Sequence, residues 1–336
     1  MILTFLLTED CDGGCTYCPQ IRSDRRMPRE LARRAVNRLI PLLETAEELN
    51  INFYGGEPLL EKKTILEITN RLPFITDKDR LHLAMTTNGS GLDREFLEQI
   101  EEFPFHLIVS HDGLWQNETR PGIPDRMTLD YYETLLADYP EIEAEYNCIC
   151  PPGQVTRLTD NIRFFREKTR RTVHFGLDSI SPWEEQNLIS LEAELDRIRA
   201  AGLDNACPDF FDALEPGQFC CSSRNRISID PDGYIWGCHE YYDLFRRNPQ
   251  AGRLERHRTG HIDMPETELR ELIAAWPVCE AHEQSQWMAG NEACLLCDQF
   301  LVCRQCPVNG AYTTGFIGRL PHWICRIQRI LARHRK

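Results

Sequence analysis

Through the first half of the chain, short apolar runs alternate with amphipathic stretches. The run Ile2-Leu3-Thr4-Phe5-Leu6-Leu7 has the length of a strand, and further strands are expected near 50–55, 81–87, 105–111, 142–150 and 172–178. Between them, helical periodicity predicts helices near 28–44, 58–71, 93–102, 129–138, 155–168 and 184–201. Such alternation builds βα units around a parallel sheet, so the fold class is α/β. Six strands are too few for a complete eight-stranded barrel, which leaves a partial (β/α)6 TIM-like barrel. The helical pattern stops at Gly202 in Gly202-Leu203-Asp204-Asn205, dividing the chain into a barrel over 1–203 and a cysteine-rich extension over 204–336. In the extension, alternating β-formers on either side of Pro231-Asp232-Gly233 predict a β-hairpin over 227–236.

The polar signals fall at the C-terminal ends of these strands, where βα barrels build their active sites. The first strand is followed by Cys11-Asp12-Gly13-Gly14-Cys15-Thr16-Tyr17-Cys18, three cysteines spaced Cx3Cx2C. Three thiolates on one loop can hold three irons of a cubane iron–sulfur cluster and leave the fourth without a protein ligand, as a catalytic zinc site keeps an open position. A structural zinc loop or half of a ferredoxin site is the bland alternative. The second strand runs into Tyr54-Gly55-Gly56-Glu57-Pro58, where two glycines let backbone approach a ligand and Glu57 can accept from an ammonium group. Met85-Thr86-Thr87-Asn88-Gly89 ends the third strand and Ser110-His111-Asp112-Gly113 the fourth. Each is ordinary turn chemistry when taken alone.

Taken in order, the Cx3Cx2C loop with Tyr17 before its last cysteine and these three segments resemble the radical S-adenosylmethionine (radical SAM) superfamily. The resemblance implies that SAM chelates the open iron, that one electron from the cluster cleaves its sulfonium, and that a 5'-deoxyadenosyl radical takes a hydrogen atom from the substrate. That chemistry belongs to the cofactor. By the same resemblance, Gly55, Gly56 and Glu57 match the GGEP motif that holds the SAM amino group. Tyr17, Thr87, Asn88, Ser110 and Asp112 are expected at the SAM pocket, Ser110 as a ribose or carboxylate contact. Arg120, in the stretch Asn117-Glu118-Thr119-Arg120, is expected to grip the SAM carboxylate, with a solvated arginine as the alternative.

Farther on, Cys221 and Cys238 bracket the hairpin, Cys294, Cys297, Cys303 and Cys306 follow as Cx2Cx5Cx2C, and Cys325 closes the series. This spacing resembles the SPASM extension, which carries two auxiliary 4Fe-4S clusters. One departure is visible: two residues separate Cys303 and Cys306 where three are usual. The resemblance implies one auxiliary cluster on Cys221, Cys238, Cys306 and either Cys220 or Cys207, and a second on Cys294, Cys297, Cys303 and Cys325. Paired Cx2C units suit a zinc ribbon equally well. The implied cofactors are SAM and three 4Fe-4S clusters.

Fifteen cysteines in 336 residues, with no signal peptide and no apolar span of membrane length, argue for reduced thiols as metal ligands in a cytoplasmic protein. Cys148 and Cys150 lie two apart on the fifth strand and face one side of the sheet, either as lumen residues that touch substrate or as small apolar fillers. Cys279 has no assigned role. A net charge of −14 disfavours nucleic-acid binding. The exception is the basic amphipathic helix expected over 326–336, read either as a solvated face or as a dock for an acidic peptide or partner protein. The barrel starts almost at Met1, leaving no place before it for the winged-helix domain of many peptide-modifying relatives, so a separate peptide-recognition protein is a possible partner.

SPASM enzymes are mostly similar in acting on peptide or protein side chains. The resemblance implies maturation of a ribosomally made precursor peptide by crosslink, thioether, epimerisation or oxidation, with an external electron donor such as a flavodoxin or ferredoxin. An anaerobic sulfatase maturase, forming formylglycine on a partner protein, is the alternative enzyme. It needs a carboxylate to take a proton, and Asp178 in Gly176-Leu177-Asp178-Ser179 is the candidate catalytic residue, with helix capping as its other reading. A reading of another class is a non-catalytic iron–sulfur carrier or scaffold, to which an open, oxygen-sensitive corner brings nothing.

Overall fold

The computed structural model describes residues 1–43, 46–214, 226–250, 254, 257–276, 294, 296–303, 305–306 and 308–336. Cys220, Cys221 and Cys279 lie outside the described residues. Strands β1 (Ile2–Thr8), β2 (Leu49–Gly55), β3 (Leu81–Thr87), β4 (Phe105–Ser110), β5 (Glu143–Cys150) and β6 (Val173–Leu177) match the expected positions to within one residue. They alternate with α1 (Arg29–Leu39), α2 (Lys62–Arg71), α3 (Arg94–Ile100), the single turn α4 (Gln116–Thr119), α5 (Leu129–Leu136), α6 (Leu158–Lys168) and α7 (Glu185–Ala200). α1 is shorter than its periodicity suggests. Pro41 has no N–H and clashes with the carbonyl four residues back, so a 3-10 turn over Ile40–Leu43 replaces the last α turn.

The later part contributes α8 (Pro208–Phe211), β7 (Arg226–Ile229), β8 (Tyr234–Trp236), α9 (His239–Arg247), β9 (Arg258–His261), α10 (Glu266–Ala274), α11 (Asn309–Thr314) and α12 (His322–His334). The expected hairpin is β7 and β8, but it does not stand apart from the barrel. β7 pairs in parallel with β1, from Ile2 opposite Arg226 to Phe5 opposite Ile229. Among the described residues one sheet of nine strands results, in the order β6-β5-β4-β3-β2-β1-β7-β8-β9. The turn is organised by Asp230, which lies outside the Pro-Asp-Gly signal. Its carboxylate accepts from the backbone of Asp232 and Tyr234 and from the Trp236 indole, each at 2.9 Å.

The parallel strands carry two faces. Leu3, Phe5 and Leu7 of β1, Ile51 and Phe53 of β2, Leu83 and Met85 of β3 and Leu107 and Val109 of β4 are fully buried against the helices. On the other face, register aligns Thr4, Asn52, Ala84 and His106 across four strands. The lumen is therefore polar while the helix side forms the main core. Cys148 and Cys150 point to the core side, where Cys148 Sγ lies 3.4 Å from Asn161 Nδ2, which agrees with the filler reading.

Glu57 ties the ends of β2 and β3 together. Its carboxylate accepts from Leu59 N at 2.9 Å, Thr87 Oγ1 at 2.5 Å and Asn88 N at 2.7 Å, and the residue is 1% exposed. Burial pushes its pKa up to about 7, against the lowering effect of these hydrogen bonds.

The basic C-terminal helix packs on α7. Arg326 pairs with Glu185 at 2.7 Å, Arg333 with Glu192 at 2.7 Å and His334 with Asp196 at 3.1 Å. The seven-residue spacing on both helices means that they run in the same direction. These exposed pairs contribute little; Ile324, Ile327, Ile330 and Leu331, buried in the same helix, hold it down. Of the charges expected to dock an acidic partner, Arg326, Arg333 and His334 are taken up by α7 and Lys336 by Asp204.

Two outcomes are expected. Ile227→Ala, which opens a cavity beside β1, should lower stability by about 2–5 kcal/mol in urea unfolding, and the tryptophan signals of barrel and extension should shift together. For Glu57 the folded pKa lies above the ordinary 4.5, so its contribution to stability is complete below 4.5 and is lost as pH rises to about 7. The urea midpoint of Glu57→Gln should therefore fall less than that of the wild type between these limits.

Candidate active site

The cysteine loop leaves β1 and returns alongside it. Glu9 N donates to Arg25 O at 2.9 Å and Met27 N to Leu7 O at 2.7 Å, stapling its two ends. Its middle pairs with the segment after β4, through Gly14 N to Pro121 O at 2.5 Å and Thr16 N to Thr119 O at 2.8 Å. Gly55 and Gly56 are required by packing within the chain itself. A Cβ on Gly55 would fall 2.4 Å from Thr8 O and one on Gly56 2.1 Å from Asp10 O, so the close approach is to the chain's own backbone. Gly55 also has φ +138.

Cys11, Cys15 and Cys18 open into one cavity of about 180 Å³. Of the residues expected around a cofactor, Tyr17, Gly55, Gly56, Thr87, Asn88, Ser110 and Arg120 line it. Glu57 and Asp112 do not. Both are buried behind the wall, Glu57 as the latch described above and Asp112 as the anchor of Tyr17 and Arg120. One Asp112 carboxylate oxygen accepts from Tyr17 OH at 2.7 Å and Thr119 Oγ1 at 2.6 Å and pairs with Arg120 Nε at 3.0 Å; the other accepts from Ile149 N at 3.0 Å. The Arg120 guanidinium lies over the Tyr17 ring, 5.4 Å from its centroid, and places Nη1 3.6 Å from Cys15 Sγ. Burial alone would lower the Arg120 pKa, but the Asp112 charge outweighs it and holds it above its ordinary value. His111 is 4% exposed and neutral, its pKa brought down to about 4 by burial.

Sequence reasoning missed Glu9, Pro19, Gln20, Arg22, Asn147 and Ile149, which complete the wall, and gave Tyr54 and Thr86 no role of their own within their segments. Tyr54, Thr86, Asn147 and Ile149 sit at lumen positions of β2, β3 and β5, which strand alternation could have supplied; Arg22 has no pattern to mark it. Asp178 is not part of this cavity. It borders a separate one beside α12, where one carboxylate oxygen accepts from Ile180 N at 2.8 Å and Ser181 N at 3.1 Å, closing a turn.

Helix α9, from the extension, clamps the same loop. Glu9, which borders the cavity, is bound by Arg246 Nε at 2.5 Å, by Tyr242 OH and by Ser23 Oγ. Gln20 donates to Asp243 at 3.3 Å and Arg247 to Pro19 O at 3.2 Å. Cys238 precedes this helix and joins a small core with Leu6, Trp236, Tyr241 and Val308, against which Cys306 packs. His239 places Nδ1 3.8 Å from Cys238 Sγ, and its ring meets that of Tyr54 at 4.5 Å between centroids. Cys207, in contrast, is fully buried in the main core, its thiol donating to Leu203 O at 3.4 Å. It thus lies in a different hydrophobic cluster from Cys238.

The thiols of Cys294, Cys297, Cys303 and Cys325 lie within electrostatic reach of one another. Burial and then the neighbouring sulfurs push Cys294 up to about 11, and burial leads the rise at Cys303 and Cys325. Among the described residues, no three His, Cys, Asp or Glu groups converge closely enough for a single metal ion. A cubane, whose irons each take one thiolate, needs its ligands farther apart. Three thiols on one loop, with N–H groups of Asn88 and Arg120 directed at Cys11 and Cys15, are a donor set that fits such a cluster.

Residues 5–117 match the family described as the Radical SAM superfamily. Over 185 residues, 53% of this chain, the sequence is 30% identical to an uncharacterised protein of Methanocaldococcus jannaschii, and this alignment spans 60% of that protein's length. Over 92 residues, 26% of this chain and 24% of the relative, it is 38% identical to the GTP 3',8-cyclase of Corynebacterium glutamicum. The fold is similar to that of anSMEcpe with bound AdoMet and Cp18Cys peptide, with TM-score 0.74 and 17% identity over 99% of this chain and 96% of the other. It is also similar to Streptococcus suis SuiB bound to precursor peptide SuiA, with TM-score 0.61 and 17% identity over 96% and 75%. No helix among the described residues is long and apolar enough to cross a membrane. With its three cysteines converging on a cavity at the strand ends, the segment over 5–117 carries the radical SAM domain that this match describes.

Proposed function

We propose that this protein cleaves SAM reductively and uses the resulting radical to modify a peptide or protein, most simply a ribosomally made precursor. The observation that carries the reading is the single cavity in which Cys11, Cys15 and Cys18 meet polar residues from the ends of β2 to β5. Cys11, Cys15 and Cys18 would hold the cluster whose open iron binds SAM; when bound, that pair supplies the radical. Thr87, Asn88, Ser110 and the Gly55-Gly56 backbone would bind the rest of SAM, and Arg120, fixed by Asp112, sets a cation 3.6 Å from Cys15 Sγ. Arg22 adds a second cation at the cavity wall.

The extension adds two auxiliary clusters in this reading. Cys238 and Cys306 share one small core, and with Cys207 turned away, Cys220 and Cys221 are the cysteines left to complete the first. Cys294, Cys297, Cys303 and Cys325 form the second set. The peptide substrates in the anSMEcpe and SuiB structures support a peptide as the molecule modified. An external donor such as a flavodoxin or ferredoxin would supply the electron. The sulfatase-maturase alternative loses its candidate proton acceptor in this site, since Asp178 borders a different cavity.

The test is anaerobic reconstitution, with iron and sulfide counted in the wild type and in a Cys11→Ala, Cys15→Ala, Cys18→Ala variant. About twelve irons should fall to about eight, with deoxyadenosine released on reduction by the wild type alone. Bound clusters without deoxyadenosine would instead identify a carrier. Asp112→Asn should keep the iron content and weaken SAM binding about tenfold, because Arg120 and Tyr17 lose the charge that orients them.

A further inference from the structure

A third cavity, of about 360 Å³, lies where α6 turns into β6, bordered by Arg166, Arg170, Arg171, Thr169, Thr172 and Asn205. This is the N-terminal end of β6, the opposite end from the cysteine cavity, so it plays no part in the chemistry there. Among the described residues no carboxylate lines it.

That composition is out of keeping with the molecule. The chain has 52 acidic and 38 basic side chains, and many of its exposed arginines are paired, as Arg25 is with Asp232, Arg94 with Asp138 and Arg157 with Glu118. The Arg166 and Arg170 side chains have no ion-pair or hydrogen-bond partner among the described residues. Arg171 approaches Glu133 at 3.4 Å, but the same Glu133 oxygen already accepts from Tyr146 OH at 2.7 Å and Thr169 Oγ1 at 2.8 Å. The cavity therefore keeps a positive surplus. The dipole of α6 accounts for a cation at Arg166, in its last turn, and not for Arg170 and Arg171 beyond its end.

We propose that this cavity is a binding site for a phosphate group. Guanidinium forks match phosphate oxygens two at a time, the Thr172 hydroxyl and the Asn205 amide can donate to the same oxygens, and several arginines around one concavity favour a compact dianion. The walls below them, Ile162, Phe165 and Phe175, are apolar and leave room for a small organic group carrying the phosphate. The site is independent of the reaction proposed above.

The test is isothermal titration of the reconstituted protein at low ionic strength with inorganic phosphate, glycerol 3-phosphate and hexaglutamate. An Arg166→Gln, Arg170→Gln variant and an Arg166→Lys, Arg170→Lys variant are measured alongside, with melting temperature and deoxyadenosine release confirming intact protein. One phosphate-bearing molecule should bind per chain, and affinity should fall about tenfold or more in the glutamine variant and less in the lysine variant. Tighter binding of glycerol 3-phosphate would indicate an organic phosphate as the natural occupant, and equal or weaker binding free phosphate. Absence of phosphate binding, equal affinity in the glutamine variant, or binding of hexaglutamate alone, which would mark an acidic peptide site, would overturn the proposal.

Discussion

β1 is hydrogen-bonded along both edges, to β2 on one side and to β7 on the other, and the arrangement of the rest follows from that position. A strand enclosed on both edges and buried on both faces is the most rigid mount the sheet offers, and the cysteine loop leaves directly from its end. Because its two neighbours belong to different parts of the chain, the loop is gripped from both. β2 brings Gly55 and Gly56 against Thr8 and Asp10, while the hairpin that begins at β7 leads to α9 with Tyr242 and Arg246 on Glu9.

The cavity is shaped largely by charges that stand behind it. Asp112 does not reach the cavity, yet it decides where the Tyr17 ring and the Arg120 guanidinium lie, and Glu57 in the same way fixes the Thr87-Asn88 corner. Buried carboxylates with every nearby donor directed at them are costly to disturb, so the polar surface facing a ligand is held in place before a ligand arrives. The extension reaches this surface through Tyr54, whose ring faces the cavity on one side and His239, next to Cys238, on the other.

Most of the barrel was legible because apolar runs of strand length are a local signal. The cysteine loop was legible because ligand spacing is local too. What could not be read is pairing across distance. Nothing in Arg226-Ile227-Ser228-Ile229 says that its partner is Ile2-Leu3-Thr4-Phe5, and nothing in four residues containing Gly260 marks β9 as a strand. Glu57 and Asp112 stand one layer behind the cavity wall, and a motif names the residues near a site without saying which of them line it. For the C-terminal helix the answer was present in the sequence. Glu185 and Glu192 repeat the seven-residue step of Arg326 and Arg333, a correspondence visible only when two distant helices are compared. The burial of Cys207 in the main core is likewise no local signal.

The pairing of β1 with β7 also bears on the order in which the molecule is made. β1 is synthesised before the other strands of this sheet, but its second edge stays open until Arg226 to Ile229 have been made, and the loop it carries is not clamped until Tyr242 and Arg246 follow. Contacts of such sequence separation form late and slowly. During synthesis, then, the three cysteines of the first loop are exposed on an unfinished edge for most of the chain's length, and their final geometry is completed by the extension.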